Sequence, residues 1–153
     1  MVGADATALV AMSLARQLGL VKRLVGKVTV GDITGREITA TVRALDRNCE
    51  LPDEELLEVR YLDIAAATLS LSESETVHLA RQDDARLVLT DDVVVRQELS
   101  SFGVPTMGTI GILYAGHDRG MIEDLPKTLD RLSRFGYGLN RQCERILLGE
   151  TEQ

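Results

Sequence analysis

Residues 2–10 read Val-Gly-Ala-Asp-Ala-Thr-Ala-Leu-Val, a short apolar run that ends in an acid and then continues as a helical pattern. The run Val2–Ala4 is too short for a strand unless that strand is buried and central. The apolar residues after Thr7 recur at helical spacing, and Thr7 is a candidate N-cap for this helix. The stretch therefore predicts a strand that passes directly into a helix, with Asp5 at the junction.

The same alternation of apolar runs and helical periods continues along the chain. Strands are predicted at 27–31, 59–64 and 86–90 and near 104–107, with a loop or short helix at 46–58. Helices are predicted from Thr7 to an interruption at Gly19, then at 20–25, 33–45, 76–81, 93–102 and 109–117, from Pro126 to about 135, and from Asn140 to Leu148. This order predicts an α/β fold with a mainly parallel sheet covered by helices. The length of 153 residues indicates one domain at 1–148, followed by a short tail at 149–153.

Composition limits the classes of function. The net charge of −7 argues against a general nucleic-acid coat, which needs many Lys and Arg side chains to neutralise phosphates. No apolar run has the roughly 18–20 residues of a membrane span. The opening Met-Val-Gly-Ala-Asp lacks the basic and apolar regions of a signal peptide. The two cysteines, Cys49 and Cys143, have no metal-site spacing, so we expect free thiols and a cytoplasmic location.

Isolated acids lie where the predicted strands and helices begin or end. Asp5 closes the first strand, and Asp91 and Asp92 close the run Leu87-Val-Leu-Thr90. Ligands of open α/β sheets bind outside the carboxyl ends of the strands. Carboxylates gathered there repel each other unless a cation holds them, and hard oxygen ligands suit Mg²⁺ or Mn²⁺. The pattern therefore indicates metal-assisted chemistry on a phosphate.

Each of these strand-end acids also has a structural interpretation. Asp5 is a metal ligand if Thr7 orients it or contacts a phosphate, and otherwise Asp5 or Thr7 simply caps the following helix. Two adjacent acids cannot both reach one ion from a regular element, so one of Asp91 and Asp92 is expected to be a ligand and the other a cap. The alternative is that Asp91 caps the helix and Asp92 only favours its dipole.

The acids within helices are weaker candidates. Ser72-Glu-Ser-Glu75 has the capping-box pattern, which would explain Glu75 by itself. Glu73 and Glu75 diverge by about 200° on a helix, so at most one of them faces a given site. Glu37 lies within a predicted helix, where an acid is usually solvated.

The order of these pieces resembles the PIN-domain ribonuclease superfamily, and in particular a prokaryotic branch related to VapC-type toxins. The matching elements span residues 2–148. They are Asp5-Ala-Thr-Ala-Leu-Val10, Val28–Ile38 with Glu37, Glu73-Ser-Glu75-Thr-Val-His-Leu-Ala80, Leu87-Val-Leu-Thr-Asp-Asp92 followed by Arg96, and Val104–Leu113.

The resemblance implies a three-layer α/β/α fold and an acidic site. The acids carried over are Asp5, Glu37, Glu75 or Glu73, and Asp92 or Asp91. It implies one or two Mg²⁺ or Mn²⁺ ions that activate water for hydrolysis of an RNA phosphodiester bond. Thr7, Arg96 and Thr109 are second-tier candidates for contact with the phosphate. It also implies a homodimer and, for toxin members, an antitoxin partner.

Two other functions stay open at this point. One is a PIN-like scaffold whose site has decayed and which serves as a protein- or RNA-binding module. The chain departs from the family's usual residues around Asp5, and its terminal acid is not evident, since Thr109 occupies that region. The other is a receiver-like phosphotransfer domain built on Asp91 and Asp92. That fold needs a lysine near the sheet edge, but Lys127 is the only lysine after Lys27 and lies in a predicted helix.

Overall fold

Five strands and seven helices alternate in the part of the chain that the computed structural model describes, which is residues 1–62, 70–137, 144–145 and 147–149. The strands are β1 (Val2–Ala4), β2 (Val28–Gly31), β3 (Leu57–Arg60), β4 (Leu87–Leu89) and β5 (Thr106–Met107). The helices are α1 (Ala6–Leu14), α2 (Leu18–Val25), α3 (Asp32–Leu45), α4 (Leu71–Gln82), α5 (Val93–Ser101), α6 (Thr109–Asp118) and α7 (Leu125–Arg134).

All five strands are parallel, and their order across the sheet is β3-β2-β1-β4-β5. Strand β1 is central and its three residues are buried, which confirms that so short a strand must lie inside the sheet. Gly3 lies opposite Thr29 of β2 and Val88 of β4. The sheet order reverses at β1, so β1 and β4 form the switch point at whose carboxyl ends ligands bind in such folds.

The helices cover both faces of the sheet, and the predicted three-layer α/β/α architecture is confirmed. Helix α1 contacts α2, α3, α6 and α7, whereas α4 packs against α5 and against β1 and β2. The side chains of Leu9, Met12 and Leu14 are fully buried. Helix α1 is apolar nearly all round because it lies between the sheet and other helices.

Of the two residues considered as the cap of the first helix, Asp5 is the N-cap and Thr7 is not, and the Asp5 side chain accepts a bond from the Ala8 N–H. The predicted interruption of the helix at Gly19 is wrong. The break between α1 and α2 lies before Gly19, at Arg16, whose φ is +59°. Gly19 itself lies inside α2. A residue with left-handed backbone angles, here Arg16, ends a helix regardless of the residues after it. Gly19 therefore does not mark the end of α1.

The start of α4 also differs from its prediction. The capping box is formed by Ser70 and Glu73 rather than by Ser72 and Glu75, so the helix begins earlier than expected. This shift places Glu75 in the second turn, on the buried face of α4.

Three further predictions concern segments that lie partly or wholly outside the described residues. Strand β3 begins at Leu57, before the predicted start at Val59, and ends at Arg60, so the predicted continuation of the strand through residues 61 and 62 is wrong. Residues 63–69 lie outside the described residues. The predicted cap at Asn140 and the thiol of Cys143 also lie outside them. Gly103 and Gly136, which follow the ends of α5 and α7, have φ of +73° and +78°, the left-handed conformation that commonly ends a helix. Among the described helices, none has the length and apolarity to cross a membrane.

Candidate functional site

The acids that follow β1 and β4 lie at one edge of the sheet. The backbone N–H of Asp5 donates to the carbonyl of Leu89 at 3.0 Å, so Asp5 continues the pairing of β1 with β4. Thr90, Asp91 and Asp92 come directly after β4 and begin the turn into α5. The predicted gathering of strand-end acids at the switch point therefore holds for Asp5, Asp91 and Asp92.

Asp5 is the most deeply buried of these acids, with only 4% of its surface exposed. The Thr90 hydroxyl donates to Asp5 Oδ2 at 2.5 Å, and the Thr7 hydroxyl donates to Oδ1 at 2.7 Å. The Ala8 N–H is a more distant donor, 3.4 Å from Oδ1. All three donors are neutral, so the carboxylate is oriented without being neutralised.

The two hydroxyls that hold Asp5 are themselves held by the turn after β4. The backbone N–H of Asp91 donates to Thr7 Oγ1 at 2.8 Å, and that of Asp92 donates to Thr90 Oγ1 at 3.0 Å. Each threonine thus bridges one oxygen of Asp5 to one amide of the β4–α5 turn. This pair of bridges fixes the position of Asp5 relative to Asp91 and Asp92.

Burial raises the pKa of the Asp5 carboxyl, because removal from water disfavours the charged form. The hydrogen bonds from Thr90, Thr7 and Ala8 oppose this rise, and the nearby charge of Asp92 adds to it. The Asp92 charge is the smallest of these influences on the Asp5 pKa, and burial is the largest. Buried carboxyls with shifted pKa values occur in functional sites and in structural networks alike, so the pKa supports a site here only together with the geometry.

Asp92 caps α5, since its Oδ1 accepts bonds from the N–H groups of Val94 at 2.8 Å and Val95 at 3.1 Å. The alternative in which Asp91 is the cap is therefore wrong. Both capping bonds use Oδ1, and no hydrogen bond among the described residues uses Oδ2 of Asp92. That second oxygen keeps its capacity to bind a ligand.

Asp91 instead connects β4 to the start of α6. Its Oδ1 accepts from the Thr109 N–H at 2.7 Å, and its Oδ2 accepts from the Thr109 hydroxyl at 2.5 Å. Gly108 leaves room for this contact, because a Cβ there would lie 2.5 Å from Asp91 Oδ1 and 3.1 Å from Arg96 Nη2. Arg96 is otherwise exposed and donates to the Thr90 carbonyl at 3.4 Å. It is the basic side chain that borders the strand-end acids.

Glu75 bonds to the backbone of α3 and, among the described residues, to none of the strand-end acids or their threonines. Its side chain is fully buried, and its Oε1 accepts from the Thr34 N–H at 2.7 Å while Oε2 accepts from the Ile33 N–H at 3.2 Å. The carboxylate rests on Gly31, the last residue of β2. It therefore stabilises the N-terminus of α3, where a negative charge is favoured.

The other two acids have no hydrogen bond to the strand-end acids among the described residues. Glu73 accepts a bond from the Ser70 N–H and so belongs to the cap of α4. Glu37 is exposed. It lies three residues after the buried Thr34, so it is at the edge of the face of α3 that packs inward. Sequence reasoning missed Thr90, whose only signal is its place between a buried strand and two acids.

The donor set fits a hydrated cation better than an all-protein cage. No group of three or more acids, histidines or cysteines that could hold a metal occurs among the described residues. Mg²⁺, however, keeps several waters and is often bound by one or two carboxylates together with a substrate phosphate. Asp5 and Asp92, with the free oxygen on Asp92, supply hard ligands of that kind.

Replacing Thr90 by Val tests the bridge, because the change keeps the side-chain volume and removes the hydroxyl. The pKa of Asp5 should rise further, since the bond from Thr90 is the strongest of those that lower it. The loss of two buried bonds should reduce the free energy of unfolding by about 1–3 kcal/mol. NMR titration of the Asp5 carboxyl and urea unfolding measure the two effects.

Thr41→Val, at the far end of α3, is the matched control and should change neither quantity. An unaltered Asp5 pKa in the Thr90 variant would mean that the hydroxyl does not determine the state of this carboxyl.

Comparison with known proteins supports the fold and the family. A family model described as a PIN domain, DUF3368, matches residues 1–152. A PilT N-terminus domain protein from the hyperthermophilic archaeon Sulfolobus solfataricus has a similar structure, with a TM-score of 0.52 and 19% identity over 80% of this chain and 94% of that chain. At this identity the likeness concerns the fold alone. No protein of curated function matches the sequence.

Proposed function

The chain belongs to the PIN-domain family, and from that premise we propose that it is a metal-dependent endoribonuclease that hydrolyses phosphodiester bonds of RNA in the cytoplasm. PIN domains are generally nucleases. The observation that carries the proposal is the buried Asp5 carboxylate, which two threonine hydroxyls connect to the turn that contains Asp91 and Asp92.

Asp5 and Asp92 are the residues that would hold the cation. A bound Mg²⁺ or Mn²⁺ lowers the pKa of water and stabilises charge on a phosphate during hydrolysis. Thr7 and Thr90 keep both oxygens of Asp5 in a fixed orientation, so little reorganisation is needed when a ligand arrives. Arg96 has donors beyond the one bound to the Thr90 carbonyl, and these can approach a phosphate at the rim.

Thr7 and Thr109 contribute indirectly in this scheme. The Thr7 hydroxyl is occupied between Asp5 and the Asp91 N–H, and the Thr109 hydroxyl donates to Asp91. Both therefore position acids rather than contact the phosphate. The carboxylates of Glu75 and Glu73 already accept bonds at helix ends, and Glu37 is exposed. We therefore place these three acids outside the inner ligand set, as outer members of the proposed site.

The carboxylates of Glu75 and Glu73 bond to backbone N–H groups at helix ends. This observation favours a second candidate function, a binding module whose metal site has decayed. The two candidates differ in metal affinity, because a decayed site has no reason to bind Mn²⁺. Calorimetric titration of Mn²⁺ therefore separates them before any substrate is known. A more specific prediction is that the protein is a toxin with an antitoxin partner. Inhibition of its RNA cleavage by the protein product of an adjacent gene would test this.

Asp92→Asn tests the nuclease proposal directly. We expect the wild-type protein to bind Mn²⁺ and to cleave a mixed-sequence RNA pool only when Mg²⁺ or Mn²⁺ is present. The variant keeps an oxygen that can cap α5, so it should remain folded while its metal affinity falls by about 10-fold or more. RNA cleavage should fall with it.

Asp118→Asn is the matched control, since Asp118 is an exposed acid at the end of α6. This variant should bind Mn²⁺ and cleave RNA as the wild type does. A folded wild-type protein that neither binds the ion nor cleaves RNA would favour the binding module. An Asp92 variant with full activity would remove Asp92 from the site.

A further inference from the structure

Helix α6 has two large apolar side chains on its solvent-facing side. Its buried residues lie on the opposite side, whereas Ile110 and Tyr114 are 42% and 52% exposed. The two are four residues apart, so they are neighbours on the helix surface. The Tyr114 hydroxyl has no hydrogen bond among the described residues. Contacts within the described part of the chain therefore do not explain an aromatic ring here, and exposed apolar groups beside polar ones mark binding surfaces.

The first turn of α6 is attached to the strand-end acids. Thr109 donates to Asp91 through its N–H at 2.7 Å and through its hydroxyl at 2.5 Å, and Ile110 is the next residue. Tyr114 follows Thr109 by about 7.5 Å along the helix axis. Helical side chains lean toward the N-terminus of their helix, so the Tyr114 ring covers the turn that begins at Ile110. A base that adjoins a phosphate at the acids can therefore reach this ring.

The first turn of α5 adds apolar surface at the same edge of the sheet. Val93 and Val94 come directly after Asp92 and are 61% and 46% exposed. The Nη2 atom of Arg96 lies 3.1 Å from the position that a Cβ at Gly108 would take, so its guanidinium is at the start of α6. The two helices thus present apolar side chains and one cation next to the acids.

This combination of groups matches a nucleotide of an unpaired strand. The faces of a base are flat and stack on aromatic rings, and the phosphate beside it is an anion that a guanidinium binds. In a duplex the bases are stacked on one another, so only an unpaired base can stack on a side chain. A protein interface, by contrast, has a core from which charged residues are depleted, whereas Asp92 and Arg96 adjoin this apolar surface.

We propose that Tyr114 stacks on an unpaired base of the RNA strand whose phosphate lies at the strand-end acids, and that Ile110 supports the ring. An aromatic and an aliphatic side chain at this spacing pack on each other, which restricts the ring before the base arrives. Because every base has a π-face, the contact requires an unpaired base and tolerates any sequence. The inference rests on the proposed function, since RNA supplies the base.

Tyr114→Ala tests the stacking contact through binding rather than cleavage. The probe is a fluorescently labelled oligoadenylate, which is titrated with protein in Ca²⁺ and followed by anisotropy, with a gel to confirm that the strand stays intact. Loss of one stack between a base and an aromatic ring should weaken binding by about 5- to 150-fold. Tyr114→Phe keeps the ring and should bind within about twofold of the wild type.

Two controls separate stacking from a general loss of affinity. Phe102→Ala removes a ring that is 44% exposed at the far end of α5, where it stacks on Arg81, and should leave the affinity unchanged. A duplex of the oligoadenylate with oligouridylate has no unpaired base, so Tyr114→Ala should not change its binding.

A strand with 2-aminopurine in place of one adenine reports the stack itself. Its fluorescence should be quenched by the wild type and by Tyr114→Phe but not by Tyr114→Ala, a difference that a merely structural role of the tyrosine would not produce.

Equal affinity of the wild type and Tyr114→Ala for the single strand would overturn the inference and leave this side of α6 to a protein partner. A wild type without affinity for the strand would overturn it too, as would a Tyr114→Phe variant as weak as Tyr114→Ala. The nuclease proposal fails by a different result, a wild type that neither binds Mn²⁺ nor cleaves RNA. Tyr114-dependent binding of the strand by such a protein would uphold the stacking contact in an RNA-binding module.

Discussion

Asp5→Asn is expected to abolish metal-dependent RNA cleavage and to gain stability relative to the wild-type protein as the pH rises toward neutrality. Loss of a residue that only supports a metal ligand costs about 10–100-fold, so loss of the ligand itself should cost at least about 100-fold. The stability gain follows from burial, which raises the pKa of Asp5 and so opposes the charged form in the folded protein. Asparagine keeps the shape and removes that charge. Because it has one acceptor oxygen instead of two, it also loses the bond from Thr7 or Thr90, a cost that does not depend on pH.

The sign of the pH dependence follows from the same shift. Because the pKa of Asp5 in the folded protein lies above its ordinary value of 3.8, the protonated acid stabilises the fold fully only below that pH. This contribution is lost as the pH rises through the raised pKa. The stability advantage of Asp5→Asn should therefore be smallest in acid and grow toward neutral pH.

Urea unfolding of the wild-type and Asp5→Asn proteins from acid to neutral pH measures the stability difference. RNA cleavage at neutral pH measures the loss of activity. Asp118→Asn serves again as the control and should cleave RNA at the wild-type rate. Because Asp118 is exposed at the C-terminal end of α6, any stability gain from its neutralisation should stay below about 1 kcal/mol. A variant that cleaves RNA at the wild-type rate would place the chemistry elsewhere, and a stability difference independent of pH would mean that Asp5 carries no buried charge.

Gly31→Ala is expected to have the largest effect on folding. A Cβ at this position would lie 1.8 Å from Cδ and 2.0 Å from Oε1 of Glu75, far inside any real contact. The buried carboxylate has to move, and it then loses its bonds to the N–H groups of Ile33 and Thr34. Overpacking and the loss of buried bonds together should cost on the order of 3 kcal/mol.

Gly19→Ala is the matched control, because nothing lies within 4 Å of a Cβ there and the residue is helical. It should be neutral or stabilise the protein by up to about 1 kcal/mol. The cause of the Gly31 effect can be checked in a Glu75→Ala background, where the added methyl group should cost much less. Equal costs in the two backgrounds would show that Glu75 is not what Gly31 accommodates.

Much of the fold could be read from local patterns. Apolar periods identified the five strands and seven helices of the described chain, because burial of one face imposes its own spacing. Most boundaries agree to within a few residues, but α4, predicted from residue 76, begins at Leu71. The position of Asp5 after a three-residue strand already required that strand to be central. The acids after β1 and β4 could be assigned to one edge, since parallel strands present their carboxyl ends together.

The helix caps were harder to assign, because neighbouring serines, threonines and acids compete for the same amides. Ser70 caps α4 in place of Ser72, and Asp92 caps α5 in place of Asp91. Each choice differs from its rival by one or two residues along the chain. What decides between them is which face of the helix must be buried against the sheet, and local spacing does not contain that information.

The sequence by itself determined the class of fold, the order of its elements and the strand-end position of Asp5, Asp91 and Asp92, because these follow from periods of two to four residues. Only the tertiary structure decided how the acids are used. Glu75 meets the amides of Ile33 and Thr34, and Thr90 meets Asp5, across long separations in the chain. Such contacts depend on the packing of whole elements, so the partner of each carboxylate is a property of the folded sheet rather than of any motif.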